Sequence, residues 1–410
     1  MGFDRFISMS NIFSRRSDAG EAEPNELSEI RASRSSSGLP VKDLSNTNPT
    51  NVGLDWDSSD LISLATKDNI FYYPEPRGLY RAREAISDHF ASYKRNMPPD
   101  NYFLCASTSE GYSWLFKLLC DTGDAVLVPK PGYPLFQHLA ELESVQVLTY
   151  KLEYVHPSGW YLNLDELSFI LSEDHGRRIK AIVVINPSNP TGSYIRKGER
   201  TAILDLCEKY DLALIADEVF FDFPIDENVE RKTFVGEDRV LTFALDGLSK
   251  RMGLPQLKLA WITISGPSQK VSRAKKRLDL IADTFLSVNS PIMNALPFLF
   301  EHETAFLCKS LGRIRQNYAV YLEILTGKAS PHRVLCCQGG WTALIESPSY
   351  FEEDKIAQRF LEEKGIFAQP GYFFDIDNGV HFAFSLIIPA ISACCWCVEY
   401  RDFFEVLENS

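Results

Sequence analysis

The sequence predicts an α/β fold, with a mostly parallel sheet covered on both faces by helices and a smaller α+β unit beside it. Three observations carry this. From about residue 75, short apolar runs alternate with segments whose apolar residues recur at helical spacing. The runs are continuous rather than alternating apolar with polar, as expected of strands buried on both faces. The chain has 410 residues, 45% hydrophobic and 24% charged. That is enough to bury a core without a metal or disulfide staple.

The elements follow in order. Residues 1–40 are rich in Ser, Arg and Glu, show little periodicity, and read as a mobile N-terminal arm. Their start carries Arg5, Arg15, Arg16 and several serines, which faintly resembles a transit peptide. Asp4 opposes that and no secretory apolar core follows, so a cytoplasmic chain is expected, with an organelle as the alternative. Leu79–Tyr93 and Tyr112–Cys120 carry amphipathic helical patterns. Ala125–Val128 is a first strand, stopped by Pro129, and Val145–Tyr150 a second. Asp165–Ser172 reads as a helix, Ala181–Ile185 as a third strand, and Glu199–Tyr210 as a helix. Ala213–Ala216, Val240–Ala244 and Ala260–Ile264 are the fourth, fifth and sixth strands. Helical pattern dominates from about Lys270 to Leu325, and a mixed tail follows.

Composition excludes several classes. Counts of 42 basic and 55 acidic residues leave a net charge of −13, a poor match to nucleic acid. An anionic ligand must therefore be captured locally. No run of 18 apolar residues occurs, so no membrane helix is expected. The nine cysteines lie mostly in apolar runs and read as buried free thiols. Cys394, Cys395 and Cys397 lack a second well-spaced pair, so no metal site is expected.

Ligands of open α/β sheets bind at the carboxyl ends of the strands, so the segments just after each strand carry the chemistry. Asn186-Pro-Ser-Asn-Pro-Thr-Gly192 follows the third strand and forces an irregular turn. Asp217 and Glu218 follow the fourth, where an Asp also serves as a plain helix cap. Lys250 follows the fifth, in a Gly-flanked turn. A lysine there forms imines if desolvation or a neighbouring cation, here Arg251 or Lys258, lowers its pKa. Spacings of 28 residues (189 to 217) and 33 residues (217 to 250) each accommodate one helix–strand unit. Asn189, Asp217 and Lys250 would then line one sheet edge.

Asn-Pro-x-Asn-Pro-Thr-Gly, Ala-Asp-Glu-Val and Ser-Lys-x-x-Gly-Leu-Pro, in this order, closely resemble the class I/II aminotransferases, fold type I enzymes that use pyridoxal 5'-phosphate. The resemblance covers roughly residues 45–389. It implies a mostly parallel seven-stranded sheet in a large cofactor domain, residues 65–295. A small domain would be built from residues 41–64 and 296–410. It also implies a homodimer, with Tyr73 reaching the phosphate of the partner subunit's cofactor. Lys250 would be the Schiff-base lysine and proton carrier, and Asp217 would pair with the pyridine nitrogen. Asn189 would bond the phenolic oxygen, and Tyr133 would stack on the ring. Ser107, Thr108, Ser109 and Lys258 would hold the phosphate, the first three at a helix N-terminus suited to anions. Asn48 and Asn189 would lie near the substrate.

Four positions depart from the family pattern. Phe220 stands where a Tyr usually touches the phenolic oxygen, and Gly247 where a Ser is common. Lys258 replaces a phosphate-binding Arg, keeping charge but losing the bidentate fork. Ala383 stands where an Arg usually clamps the substrate carboxylate, and the tail Ile391-Ser-Ala-Cys-Cys-Trp-Cys397 is also atypical. The expected activity is amino transfer between an amino acid or amine and a keto acid or aldehyde. The alternatives are another reaction of the same cofactor, such as elimination, replacement or cyclisation, and a non-enzymatic binding protein.

Overall fold

The structure is a computed structural model that describes residues 12–17, 25–173, 178–286, 288–327 and 330–408. Helix α1 spans Glu26–Ser36, and Asn25 accepts the Ser28 N–H as its cap. Strand β1 is Lys42–Asp43 and helix α2 is Tyr80–Ala91. β2 (Tyr102–Cys105), α3 (Thr108–Leu119), β3 (Ala125–Lys130) and α4 (Leu135–Leu142) follow. Next come β4 (Gln146–Val155), β5 (Gly159–Leu162), α5 (Leu164–Ser172), β6 (Ile179–Ile185) and α6 (Lys197–Tyr210). β7 (Ala213–Asp217), β8 (Thr242–Gly247), the four-residue α7 (Leu248–Arg251) and β9 (Ala260–Ser265) complete the large sheet region. Helices α8 (Ser268–Phe285) and α9 (Ser290–Leu325) lead to β10 (Arg333–Val334) and β11 (Thr342–Ser347). The chain ends with α10 (Glu353–Lys364), β12 (Ile366–Phe367), β13 (Gln369–Pro370), β14 (Val380–Ser385) and α11 (Ala390–Glu408).

The main sheet has eight described strands in the order β2-β9-β8-β7-β6-β3-β4-β5. Strands β8, β7, β6, β3 and β4 run parallel, and β9 is antiparallel to both its neighbours. The expected seven strands are present, and an eighth, β5, folds back on β4 as an antiparallel hairpin. Strands β2 and β5 escaped the sequence reading. Each has four residues, too few to show a period. The central strands are buried along nearly their whole length, which is why they read as unbroken apolar runs. A second, antiparallel sheet, β10-β11-β14-β13, carries a separate aromatic-rich core with α9, α10 and α11.

Three expectations are corrected here. Residues 26–36 of the supposed arm form helix α1, because Leu27 has an apolar slot to fill and is 2% exposed in the core of the smaller unit. Residues 1–11 and 18–24 lie outside the described residues. The cysteines are not all buried: Cys308, Cys394 and Cys395 are exposed on helices, and all nine are free thiols. The expected boundary at 295 falls inside α9, a single helix of 36 residues. Its first half packs with α2 and the main-sheet side, and its second half with the smaller unit. No described helix is long and apolar enough to cross a membrane.

Asn317 ties the second half of α9 to the strand-end chain. Its Nδ2 donates to the Leu386 and Ile388 carbonyls at 3.0 and 2.8 Å, with the side chain fully buried. Asn317→Ala leaves both carbonyls unpaired, so a loss of about 3 kcal/mol is expected. A lower urea midpoint with unchanged secondary structure checks it.

Candidate active site

Register brings the strand ends together. Cys105 of β2 and Gly247 of β8 both pair with Ala260 of β9, and Asp217 of β7 pairs with Ile185 of β6. The turns that follow therefore open on one edge. Ser107 starts α3 there, Asn189 follows β6, and Lys250 sits on α7 after β8.

Asp217 is buried. Tyr112 Oη donates to one carboxylate oxygen at 3.0 Å, and the Val219 N–H donates to the other at 3.2 Å. It forms no ion pair among the described residues. Burial pushes its carboxyl up to about 6, the two hydrogen bonds opposing this. Lys250 is half-buried, its Nζ 5.7 Å from the Phe220 ring centroid and 5.2 Å from that of Trp341. Desolvation lowers its pKa, and the nearby Asp217 charge resists. Burial, not the neighbouring Arg251, supplies the depression, because that guanidinium is turned into an acidic cluster. Tyr133 is half-buried, edge-on to Phe136 at 5.8 Å, and burial raises its phenol. The Asn189 amide is half-buried and makes no hydrogen bond to the described residues.

The other carboxylate, Glu218, has a structural task. It is buried and pushed up to about 7 by desolvation. It accepts from Phe234 N–H at 2.8 Å, Asn186 Nδ2 at 3.3 Å and the Thr233 hydroxyl, tying the 230s loop to the Asn-Pro turn.

At the start of α3, Ser107 Oγ accepts the Glu110 N–H, and the Glu110 side chain accepts the Ala106 N–H at 2.5 Å. Thr108 and Ser109 are the first two residues of α3, where N–H groups have no intrahelical acceptor and suit an anion. Lys258 is exposed beside the β9 start, with φ +53°. Gly247 is a glycine because a side chain there would meet Ala260 at 2.8 Å. The hydroxyl that the resemblance leads one to expect is excluded by packing.

Asn48 precedes Pro49, whose Cβ lies 3.2 Å from where a side chain on Gly253 would start. Asn48 is exposed, and its side-chain oxygen accepts from Thr50 N and Oγ1 at 3.1 and 2.7 Å, capping a short turn. Tyr73 is also exposed, near Phe71. Ala383 is 2% exposed, paired across the sheet with Leu344 and Gln369, in an apolar cluster with Leu335, Leu344 and Phe374.

Sequence reasoning missed two contributors. Tyr112 looked like one more apolar position of a helix. Trp341 sits in a Gly-Gly-Trp segment, Gly339–Trp341, that nothing flagged. The loop before it closes on the Asn-Pro turn: Gln338 and Gly339 N–H groups donate to the Gly192 carbonyl at 3.1 and 2.9 Å.

The family model for aminotransferase class I and II matches residues 45–384. The chain belongs to this family. The aminotransferase is similar to tyrosine aminotransferase of Dictyostelium discoideum, 24% identical over 341 residues, which are 81% of this chain and 80% of the relative. It is 27% identical over 264 residues to glutamate-pyruvate aminotransferase AlaA of Escherichia coli, covering 63% of each. Its fold matches an alanine aminotransferase from Pyrococcus furiosus with TM-score 0.83 at 21% identity, covering 97% of this chain and 100% of that one. An aspartate aminotransferase from Thermotoga maritima matches with TM-score 0.78 at 20% identity, covering 97% and 100%. The aminotransferase is thus a pyridoxal-phosphate-dependent transferase. The residues present fit the cofactor: a buried carboxylate lacks a counter-ion, a desolvated amine lies near it, and a helix start offers N–H groups.

The raised Asp217 pKa sets a pH-dependent cost. Ionising it in the folded, cofactor-free protein is unfavourable, so the cost is absent below pH 3.8 and complete above about 6. A shift of two units corresponds to about 3 kcal/mol. Cofactor-free Asp217→Asn should therefore be more stable than the parent at pH 8, with the gap closing toward pH 4. Urea unfolding at both pH values checks it.

Proposed function

We propose that Lys250 is the Schiff-base lysine and the proton carrier of amino transfer, with Asp217 as its electrostatic partner. The observation that carries this is the convergence of a desolvated amine and a buried, unpaired carboxylate on adjacent strand ends. Pyridoxal phosphate, when bound, supplies an electron sink and carries the amino group between donor and acceptor. Asp217 would hold the ring nitrogen, whose positive charge answers the carboxylate's burial. Asn189 would donate its free amide to the phenolic oxygen, and Tyr133 would pack against the ring. Ser107, Thr108, Ser109 and Lys258 would hold the phosphate. A lowered pKa keeps more of the Lys250 Nζ neutral, so that it takes the proton from the substrate Cα and returns it at the neighbouring carbon. Phe220 cannot donate to the phenolic oxygen, so Asn189 alone would serve it.

We further infer a homodimer working in the cytoplasm, where nine free thiols stay reduced. Ile62, Ile70, Phe71, Tyr72 and Tyr80 are exposed along the segment that holds Tyr73, a patch suited to a second copy. Tyr73 would then serve the partner's phosphate. The donor is recognised without a guanidinium clamp, because Ala383 and its neighbours are apolar and close-packed.

Three outcomes are expected. Lys250→Ala keeps the fold and loses all steady-state turnover; turnover in that variant would refute the assignment. In a donor panel of L-alanine, L-aspartate, L-tyrosine and tyramine, tyramine reacts within about tenfold of L-tyrosine in kcat/KM, since no bidentate carboxylate pair is at stake. A ratio beyond about a hundredfold would place a carboxylate clamp elsewhere. Sedimentation gives a dimer, and Tyr73→Phe weakens cofactor binding without dissociating it.

A further inference from the structure

Arg251, directly after Lys250, is 2% exposed. Its Nε and Nη2 donate to Asp246 Oδ2 at 2.9 and 2.7 Å, and Nη1 donates to Glu303 Oε1 at 2.9 Å. Nη2 also donates to Asp222. The guanidinium lies over the Phe90 ring, 4.7 Å from its centroid. A second layer surrounds this hub. Asp222 accepts from Arg95 Nη2 at 2.8 Å, and the other Glu303 oxygen is 2.7 Å from His89 Nε2. The Tyr93 phenol faces the same acids and is raised, chiefly by burial.

The positions of these partners matter more than their number. Asp246 is on β8, just before the helix of Lys250, and Asp222 lies five residues beyond Asp217. Glu303 is on α9, and Phe90 and His89 are on α2. One guanidinium thus ties the helix of Lys250 to both strand ends that define the site. The guanidiniums offset most of the acidic charge. Three carboxylates face two guanidiniums, and the Asp246 charge acts on Asp217.

We propose that Arg251 is a positioning residue for amino transfer: braced by Asp246, Asp222 and Glu303, it holds the Lys250 amine against Asp217 and cancels the charge of Asp246 at that carboxylate. This rests on the roles assigned to Lys250 and Asp217 above. A purely mechanical brace and a neutralising one differ in sign. Loosened packing admits water and lets the Asp217 midpoint fall toward its ordinary value, because burial is what raises it. Loss of the cation leaves Asp246 uncompensated, which drives the midpoint up.

The experiment is an infrared titration of the protonated carboxyl stretch in the cofactor-free, full-length protein, assigned by its loss in Asp217→Asn. Arg251→Gln should raise the midpoint by about 0.5–1 unit, three- to tenfold more protonated carboxyl at fixed pH. Asp246→Asn should lower it by a similar amount, and the double variant should return to the parent value. Arg251→Lys should keep the midpoint but lower kcat about tenfold with the best donor of the panel, because the fork is lost. An unchanged or lowered midpoint in Arg251→Gln overturns the proposal. If that variant does not fold, the charge-balanced double variant and Asp246→Asn decide, and a midpoint at or above the parent's in Asp246→Asn overturns it. Borohydride reduction of the cofactor-loaded parent, followed by peptide mapping, tests Lys250 separately. Attachment at another residue sinks that assignment while the Asp217 midpoints still report on Arg251.

Discussion

A buried carboxylate without a counter-ion is the constraint around which this molecule is arranged. Asp217 ends β7 with its charge taken out of water, and only two hydrogen bonds and the half-buried Lys250 soften the cost. Leaving such a group unpaired is expensive, and several other acids of the chain are compensated by cations. Glu303, Asp222 and Asp246 meet guanidiniums, and Glu237 meets Arg200. Glu218 meets its burial with three hydrogen bonds instead, whereas Asp217 has two.

The sheet makes that arrangement possible. Parallel strands place all their carboxyl ends on one edge, so residues far apart in sequence become neighbours. Register then sets the depth of each group. The Cys105–Ala260–Gly247 line brings the helix start at Ser107 level with the start of β9, which sets a helix N-terminus at this edge in a chain of net charge −13. Close packing at Gly247 shows the cost of this proximity, since no side chain fits between β8 and β9 there.

Much of this was legible in the sequence, for physical reasons. The central strands are buried on both faces and announce themselves as apolar runs. Asn189, Asp217 and Lys250 are marked by the irregular, strand-ending segments around them. What stayed hidden depends on tertiary partners. The four-residue strands β2 and β5 are too short to carry a period. Tyr112 is an aromatic on a helix until Asp217 is placed beneath it. Trp341 comes from the smaller unit, more than 90 residues after Lys250, and only the folded chain brings them together. Asn48 also caps its own turn through Thr50, a local task that the motif does not reveal. The helix at 26–36 has a weak pattern because it buries Leu27 alone.

The continuity of α9 has a mechanical consequence. Thirty-six residues make a rod about 54 Å long, anchored at one end in the cluster of the main sheet and at the other in the aromatic core of the smaller unit. Such a rod transmits torque instead of acting as a slack tether. Any opening between the two units must flex it or rotate about it, and must also unlatch residues 338 and 339 from Gly192. Pro297 lacks the N–H that would close its turn onto the Met293 carbonyl, so that turn is the compliant point of the shaft.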